Sequence, residues 1–318
     1  MFFLILIFLN FLIQAKEYSL EIVSYNAQNF FDSNHDEGHE DFQFLPKNHL
    51  LKKEGCKKLQ PSKKSACRKL DWNEKSVSLK ISQIKKAVGN PDVLAMVEIE
   101  NEIVAKKLAL ELGFPNFILA KKHDFRGITT SLFFKSGKVL RSSEIPVKNS
   151  RSILEVKVDF DRFGPITFFV NHWPSQGHIG HQREFAGDLL QKRIRKIQDE
   201  KIIILGDFNL DPRFESNSLF ENKNFIDLSP ADMGTYFFIP EKRWFGFDRI
   251  LISQNLKQNV GTFSVLSKKE ISGKFILKGK SELIPHPFKY NSLDPKHAGF
   301  SDHFPVRLVI IPIDRKKI

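Results

Sequence analysis

Cysteine is scarce in this sequence, and several common catalytic patterns are missing from it. Only Cys56 and Cys67 occur among 318 residues, and two thiols without nearby histidines make a poor zinc site. The chain has no serine in a strand–turn–helix elbow, no glycine-rich phosphate loop and no HExxH pair. These absences argue against serine-hydrolase, P-loop and zinc-protease chemistry.

The sequence also lacks an apolar run long enough to span a membrane comfortably. Residues 1–15, MFFLILIFLNFLIQA, carry no charged side chain, but a span needs about 20 apolar residues. The run matches the hydrophobic region of a secretory signal, with the small residue Ala15 at its end. No lysine or arginine precedes it, so an uncleaved N-terminal anchor is the alternative. We predict a secreted or periplasmic protein in which residues 16–318 form one domain.

Positive charge, in contrast, is abundant. The sequence contains 49 lysines and arginines against 37 aspartates and glutamates, a formal net charge of +12. Such a balance favours polyanionic partners, namely nucleic acid, an acidic membrane surface or a phosphate-bearing substrate.

Much of the basic charge lies in a segment, residues 32–70, that also holds both cysteines. The segment is charged and irregular, and residues 52–69 contain eight lysines or arginines against one acid. We interpret it as an insertion that is either simply solvated or in contact with a polyanion. In an exported protein Cys56 and Cys67 are expected to form a disulfide, with two free thiols as the alternative.

The remaining chain alternates between strand and helix patterns. Helical spacing and stop signals indicate helices at 71–88, 101–112 and 180–197. Apolar or alternating runs predict strands at 18–31, 91–100, 129–135, 152–160, 165–173, 201–205, 246–253 and 304–311. No linker divides these elements and no repeat is visible, so we predict an α/β fold with two β-sheets packed face to face and helices outside.

Polar side chains recur where these predicted strands begin or end. They are Asn26, Glu98, Asn171, His172, Asp207, Asn209, Asp248, Asp302 and His303. One such residue is usually a turn or a cap, but ligands in layered α/β proteins bind where strand ends gather.

Together these side chains offer the parts that phosphodiester hydrolysis requires. Carboxylates and amides are the oxygen ligands of a hard cation such as Mg²⁺. A carboxylate can also deprotonate an attacking water, and a protonated imidazole can donate hydrogen bonds to an anionic phosphorane.

Seven motifs in order carry a family resemblance that spans nearly the whole chain after the leader. They are SYNAQNF, VEIEN, RGITTSLFF, NHWPSQ, ILGDFNLDP, FDRILIS and SDHFPV. The set resembles the endonuclease/exonuclease/phosphatase superfamily, and VEIEN and NHWPSQ are most similar to its secreted bacterial nuclease-like members. The resemblance implies a four-layered α-β-β-α sandwich of the DNase I-like type and a Mg²⁺-dependent enzyme, with Ca²⁺ or Mn²⁺ as alternatives.

The resemblance also implies a role for each matching residue. Glu98 matches the carboxylate that binds the catalytic cation, Asn26 the amide beside it, and Asp302 a further ligand-side carboxylate. The catalytic positions are His172 and His303, which face phosphate, Asp207, which activates water, Asn209, which holds phosphate, and Asp248, which orients the second histidine.

Some positions are less clearly assigned. We predict that Asn171, Arg126 and Arg183 contact substrate, although a structural salt bridge is an equal alternative for the two arginines. The carboxylate that would pair with His172 has no clear counterpart, and Asp124 is the candidate. The insertion at 32–70 is outside the shared pattern.

The sequence leaves three functions open. A monomeric nuclease that cuts DNA or RNA, without a stable protein partner, fits both the motifs and the charge. The alternatives are a sphingomyelinase-like phospholipid phosphodiesterase or small-ester phosphatase, and a non-catalytic binding protein with the same fold. Membrane contact is expected only for the lipid enzyme, whose apolar hairpin would be TYFFIPEKRWFGF at 235–247, a segment that could equally be a core strand and turn.

Overall fold

A computed structural model describes residues 19–177, 181–197, 200–277 and 280–312. The apolar leader, residues 1–15, lies outside the described residues, so its prediction as a signal peptide stays a prediction. None of the helices in the described parts of the chain has the length and apolar content required to cross a membrane.

The chain builds strands and helices in an order close to the predicted one. The helices are α1 (Lys52–Lys58), α2 (Pro61–Lys69), α3 (Glu74–Val88), α4 (Glu102–Leu112) and α5 (His181–Ile194). The strands are β1 (Leu20–Phe30), β2 (Val93–Ile99), β3 (Asn116–Leu119), β4 (Thr129–Phe134), β5 (Lys138–Ile145), β6 (Ile153–Phe160), β7 (Gly164–His172), β8 (Lys201–Asp207), β9 (Phe225–Asp227), β10 (Tyr236–Phe238), β11 (Arg243–Phe245), β12 (Asp248–Ser253), β13 (Val260–Val265), β14 (Ser272–Leu277), β15 (Lys280–Pro285) and β16 (Val306–Ile310).

Two mixed sheets of six strands form the centre of the molecule. The first has the strand order β13-β16-β1-β2-β4-β3, and the second has the order β5-β6-β7-β8-β12-β9. Each sheet contains one parallel pair, β1 with β2 and β7 with β8, flanked by antiparallel neighbours. The parallel pairs matter for function because their carboxyl ends lie side by side.

The sheets pack face to face and helices cover their outer faces. Residues that point inward from both sheets, such as Ile22, Leu132, Phe168 and Leu205, form one fully buried cluster. A second cluster lies between the first sheet and α3 and α4, and a third lies between the second sheet and α5. The predicted four-layered α-β-β-α, DNase I-like sandwich is therefore confirmed.

Side-chain N-caps mark the first turns of α3 and α4. The Asn73 side chain accepts hydrogen bonds from the backbone of Lys75 and Ser76 at the start of α3, and Asn101 does the same for α4. The predicted spacing of α3 is correct, since Val77, Ile84 and Val88 are buried.

The insertion at 32–70 differs from its prediction as an irregular segment. It contains a short 3-10 turn at Phe42–Phe44 and the helices α1 and α2, joined by the Cys56–Cys67 disulfide. The predicted disulfide is confirmed. The sequence signal for α2 was Pro61 at the first helical position followed by lysine and alanine, which are good helix formers.

Candidate active site

The polar residues predicted from strand ends meet at one edge of the two sheets. In the second sheet, register places His172 on β7 opposite Asp207 on β8, and Asp207 opposite Asp248 on β12. From the first sheet, Glu98 near the end of β2 faces the same centre, since its Oε1 lies 3.8 Å from His172 Nε2. Both sheets therefore contribute to one site.

Glu98 is directed into the site by an unusual backbone conformation. Its φ is +62°, at a position where the pairing of β2 with β4 shifts register. A left-handed conformation in a residue with a side chain is strained by about 1–3 kcal/mol and is concentrated at functional positions. One carboxylate oxygen accepts a hydrogen bond from the Asn29 backbone at 2.7 Å, which leaves Oε1 directed at the pocket.

Asp207 lies at the centre of the cluster and is held by two hydrogen bonds. Asn26 Nδ2 donates to its Oδ2 at 2.9 Å, and the backbone N–H of Asn209 donates to its Oδ1 at 2.8 Å. The carboxylate is fully buried, and burial raises the pKa of Asp207 to about 6, against the opposing effect of His303. Asp207 is consequently a stronger base than an ordinary aspartate, yet is ionised above neutral pH.

His303 is paired with a carboxylate that orients it. Its Nδ1 lies 2.7 Å from Asp248 Oδ2, and its Nε2 lies 3.9 Å from Asp207 Oδ2. Burial alone would lower the pKa of His303, but the charges of Asp248 and Asp207 raise it well above the usual value. The imidazole is therefore a cation at neutral pH, and its Nε2–H is available as a donor.

His172 has the opposite electrostatic character. Its Nε2 faces Asp207 Oδ2 at 3.6 Å as well as Glu98, so the proton of the neutral ring is favoured on that nitrogen. The buried Nδ1 has no hydrogen-bond partner among the described residues. Burial, Arg151, Arg126 and His303 lower the pKa of His172 well below its usual value, so the ring is neutral.

Asp124 is not the partner of His172, and that expectation was wrong. Its Oδ2 accepts hydrogen bonds from Arg126 at 2.9 Å and from Arg151 at 3.1 Å. Arg151 in turn donates to the backbone carbonyls of His172 and Trp173. The carboxylate thus reaches the histidine only through the backbone, by way of a buried arginine.

Arg126 reaches the pocket through contacts on two sides. Its Nη1 donates to Asn29 Oδ1 at 2.8 Å, and its Nη2 lies 4.0 Å from Glu98 Oε1. The guanidinium is partly exposed, with 28% of the side-chain surface accessible, and it lines the pocket. Arg126 is therefore both part of a salt bridge and available to a ligand.

Asn171 and Arg183 are placed differently from the predicted substrate contacts. Asn171 is fully buried beneath the site, where it bonds the Phe169 carbonyl and accepts from Trp173 Nε1. Arg183 is buried in a salt bridge with Glu215 and donates to the carbonyl of Ser175. Neither side chain lines the pocket, although Arg183 holds the backbone of Ser175, which does.

Two carboxylates of the site are the candidate ligands for a hard cation. Glu98 Oε1 faces the pocket, Asp302 lines it, and burial raises the pKa of Asp302, an effect that a bound cation would relieve. Asn26 already uses both amide atoms, donating to Asp207 and accepting from Gln28, so it orients the site. Within the described residues, no group of three His, Cys, Asp or Glu side chains is arranged to hold a metal ion.

These residues surround a pocket of about 500 Å³ with one aromatic wall. Tyr236, Phe238, Phe245 and Phe247 line it, and the rings of neighbouring members stack at 21–23°. Tyr236 also lies 4.9 Å from the His303 ring, measured between centroids. The segment at 235–247 is therefore a core-attached hairpin, with four of its aromatic rings lining the pocket while Phe237 and Trp244 pack against Phe275 and Phe304.

Sequence reasoning missed several residues of this pocket. Arg151 lies just before β6 in a stretch with no motif, and only its long-range contacts identify it. The aromatic wall was visible as a cluster of rings, but their direction depends on the pairing of β10 with β11. Lys63 on α2 also lines the pocket and was hidden within a run of basic residues.

Comparisons with known proteins agree with this architecture. Structures at TM-scores of 0.55–0.57 include a family protein from Bacteroides thetaiotaomicron, truncated Caenorhabditis elegans TDP2 and the human nocturnin catalytic domain with bound sulfate. Each is 15% identical to this chain. In the same order, the matches cover 93%, 94% and 93% of this chain and 98%, 99% and 95% of the matched structures. At this identity the likeness concerns the fold. No curated protein matches the sequence.

A family model gives the more specific result. The model described as the endonuclease/exonuclease/phosphatase family matches residues 21–312, which include every site residue described above and all the strands except the first residue of β1. The resemblance carried by the seven motifs is thereby confirmed. The chain belongs to the endonuclease/exonuclease/phosphatase family.

Proposed function

We propose that this protein is a divalent-metal-dependent phosphodiesterase that hydrolyses nucleic acid. The observation that carries the proposal is the pair of histidines of opposite charge around one buried carboxylate. Asp207 lies 3.6 Å from neutral His172 and 3.9 Å from cationic His303. A base, a neutral donor and a cationic donor then converge at one end of the pocket's catalytic cluster, where a single phosphoryl group could contact all three.

Each residue has a distinct task in the proposed hydrolysis. Asp207 accepts a proton from the water that attacks phosphorus, and its raised pKa makes it an effective base. His303 donates from Nε2 to a phosphoryl oxygen and balances the charge that develops there, while Asp248 holds the ring in place. Asn209, whose amide already donates to the Trp173 carbonyl at 3.1 Å, is positioned to bind a second phosphoryl oxygen.

Glu98 and Asp302 are the residues that would hold the cation, with Asn26 beside them. A bound Mg²⁺ would supply Lewis-acid stabilisation of phosphoryl charge. The neighbouring Arg126 adds a fixed positive charge on the same side of the pocket.

The aromatic wall and the net charge favour nucleic acid over a lipid or a small ester. Stacking of bases on exposed rings is insensitive to sequence and contributes about 1–3 kcal/mol per base. A formal charge of +12 suits a polyanionic backbone. One relative, zebrafish TDP2, has been solved with a single-stranded DNA product at 14% identity and a TM-score of 0.55.

We further propose that the protein acts outside the cytoplasm as a secreted or periplasmic nuclease. The apolar leader at 1–15 has the composition of a secretory signal. The Cys56–Cys67 disulfide is typical of an oxidising compartment.

One experiment compares substrates with and without metal. Purified protein is incubated with plasmid DNA, RNA, sphingomyelin and bis(4-nitrophenyl) phosphate, each with MgCl₂ or with EDTA. We expect nucleic acid to be cut only with Mg²⁺, and H172A and H303A to lose about 10²–10⁴-fold in rate. His297 is exposed and remote from the pocket, so H297A serves as the control and should act as wild type.

The outcomes separate the candidate functions. Hydrolysis of sphingomyelin without cutting of nucleic acid would replace the proposal by the lipid enzyme. No turnover of any substrate by correctly folded wild type with Mg²⁺ or Mn²⁺ would favour a binding protein. Unchanged turnover in H172A and H303A, with circular dichroism confirming the fold, would remove both histidines from the mechanism.

A further inference from the structure

The insertion at 32–70 forms a small subdomain with its own core. The Cys56–Cys67 disulfide joins α1 to α2, and both cysteines are fully buried against Phe42 and Leu45. Lys52 adds further hydrogen bonds. Its ammonium donates to backbone carbonyls in and directly after the preceding 3-10 turn, including that of Leu45 at 2.6 Å. The two helices are therefore held together rather than loosely solvated.

The subdomain is attached to the loop that forms one edge of the pocket. The backbone N–H of Glu40 donates to the Phe125 carbonyl at 3.0 Å. Gly127 packs so closely on His39 that an added Cβ would lie 3.3 Å from its ring. Because Asp124, Phe125 and Arg126 line the pocket, the insertion has a defined position relative to it.

The exposed surface of α2 is purely basic. Its sequence, PSKKSACRK, contains four basic residues and no acid. Lys63 lines the pocket itself, and Lys64 and Arg68, one helical turn apart, lie on the neighbouring face of the same helix. In the described part of the insertion, Glu54 on α1 pairs with Lys57 and lies near enough to Arg68 for the two charges to interact, so this one carboxylate offsets only part of the charge of the four basic residues of α2.

The lining of the pocket combines two kinds of chemistry. Lys63 and Arg126 contribute positive charge, and the rings of Tyr236 and Phe238 contribute apolar surface. A single phosphate ester bound at His303 would not extend to Lys64 and Arg68 on the outer surface. A polynucleotide strand would, because consecutive phosphates continue beyond the reacting one.

We propose that α2 is a phosphate-backbone contact surface that binds the nucleic acid strand beyond the scissile bond, and that the disulfide holds this surface at the pocket edge. The inference rests on the proposed function and narrows it, since the substrate becomes a polynucleotide rather than a mononucleotide or a lipid. Charge complementarity selects the occupant, and Lys63 connects the surface to the catalytic pocket.

The test measures binding and its salt dependence. Fluorescence anisotropy in EDTA gives the Kd of labelled duplex and single-stranded DNA for wild type and for K63Q/K64Q/R68Q. Each lost phosphate contact lowers the slope of log K against log salt by about 1. We expect the slope to fall by about 2–3 and the affinity to fall by about tenfold or more, with KM for DNA raised more than kcat is lowered.

The matched control removes the same charge at the opposite end of the sheets. K138Q/K192Q/K257Q changes three exposed lysines at the start of β5, near the end of α5 and beyond the end of β12. The same loss of DNA affinity and the same fall in the slope of log K against log salt as in the α2 variant would show that binding depends on net charge alone. That outcome would overturn the proposal.

The disulfide is tested separately with C56S/C67S. We expect Kd for DNA to rise by several-fold while bis(4-nitrophenyl) phosphate is still hydrolysed. An unchanged Kd and slope in both the α2 and disulfide variants, with wild type still cutting DNA, would overturn the inference alone. A wild type that hydrolyses the small diester but neither binds nor cuts nucleic acid would overturn the proposed function as well.

Discussion

At the scale of single residues, the two histidines of the site differ in charge because their environments differ. His303 gains charge from Asp248 and Asp207, whereas His172 is buried beside Arg151 and Arg126 and stays neutral. The difference follows from which neighbours face each ring. One imidazole can therefore stabilise negative charge while the other donates without competing for the cation.

The charge of His303 depends on Asp248, which D248N tests. The substitution keeps a group that can accept from Nδ1 but removes the charge that raises the pKa of His303. Because the required form is protonated, activity is lost as pH rises through that pKa. We expect the alkaline limb of the kcat/KM profile to shift to lower pH and the rate at pH 8 to fall by about 10²-fold. A uniformly lower rate with an unshifted limb would contradict this role.

A second residue prediction concerns stability far from the site. Glu200 accepts hydrogen bonds from Thr167, Arg141 and Lys157. Burial alone would raise the pKa of Glu200, but these partners lower it from 4.5 to about 2. Since the folded pKa lies below the unfolded one, this stabilisation is complete above pH 4.5 and is lost as pH falls toward 2.

We therefore expect E200Q to lower the free energy of unfolding by about 2 kcal/mol at pH 7. The difference from wild type should narrow between pH 5 and pH 3, measured by urea denaturation at each pH. E102Q, which removes an exposed helix pair with Lys106, should change stability by less than about 0.5 kcal/mol. A difference in unfolding free energy between E200Q and wild type that stays constant with pH would contradict this role of Glu200.

The sequence identified site residues that lie at strand ends. It did not identify residues whose role depends on a partner that is distant in sequence. The strand ends brought Glu98, Asp207, His172 and His303 into consideration, and the structure places them together. The link from Asp124 through Arg151 to the backbone of His172 could not be inferred, because an arginine side chain gives no local sign of its partner. Asn171 adjoins His172 in sequence, but its side chain is buried away from the pocket, and the sequence did not show this.

At the scale of elements, long patterns were predictable and short ones were not. The helix α3 was clear because its buried positions repeat with a helical period, and β2 and β8 were clear as continuous, fully buried apolar runs. Short strands such as β9 and β11, with three residues each, present too few positions to show a period. They are formed by pairing with neighbours that are distant in sequence or by a tight hairpin.

The end of β8 shows how an element positions Asp207, the proposed catalytic base. Gly206 has a φ of +131°, and an added Cβ would lie 2.0 Å from the Asn171 carbonyl oxygen on β7. Only glycine allows the two parallel strands to approach this closely just before Asp207. The motif ILGDFN thus combines a strand, a close contact and a base.

G206A is therefore expected to damage both stability and function. We expect the free energy of unfolding to fall by more than about 2 kcal/mol and the rate to fall by at least about tenfold, since Asp207 must shift. G164A is the matched control, because Gly164 also has a positive φ of +66° but no atom within 4 Å of an added Cβ. Equal losses in the two variants would show that backbone conformation, rather than the contact with β7, matters.

At the scale of the whole molecule, the site joins the two sheets. Asn26, Glu98 and His303 come from the first sheet or its approach, and His172 and Asp207 come from the second. Two packed sheets with outer helices were predictable from the alternation of strand and helix patterns, and the four-layered arrangement from the family resemblance of the seven motifs. The way the halves meet was not, since it depends on register and on the left-handed turn at Glu98.

A cation bound at this junction should stabilise the fold as a whole. Burial, together with the charge of Glu98, raises the pKa of Asp302, and a bound cation would offset this unfavourable placement of two carboxylates. A cation at ten times its Kd adds about 1.4 kcal/mol to the free energy of unfolding. We expect MgCl₂ or MnCl₂ to raise the melting temperature of wild type at constant ionic strength, and to have little effect on E98Q/D302N. An equal rise in that variant would place the cation elsewhere, and the metal role of Glu98 and Asp302 would have to be abandoned even if the enzyme needs Mg²⁺.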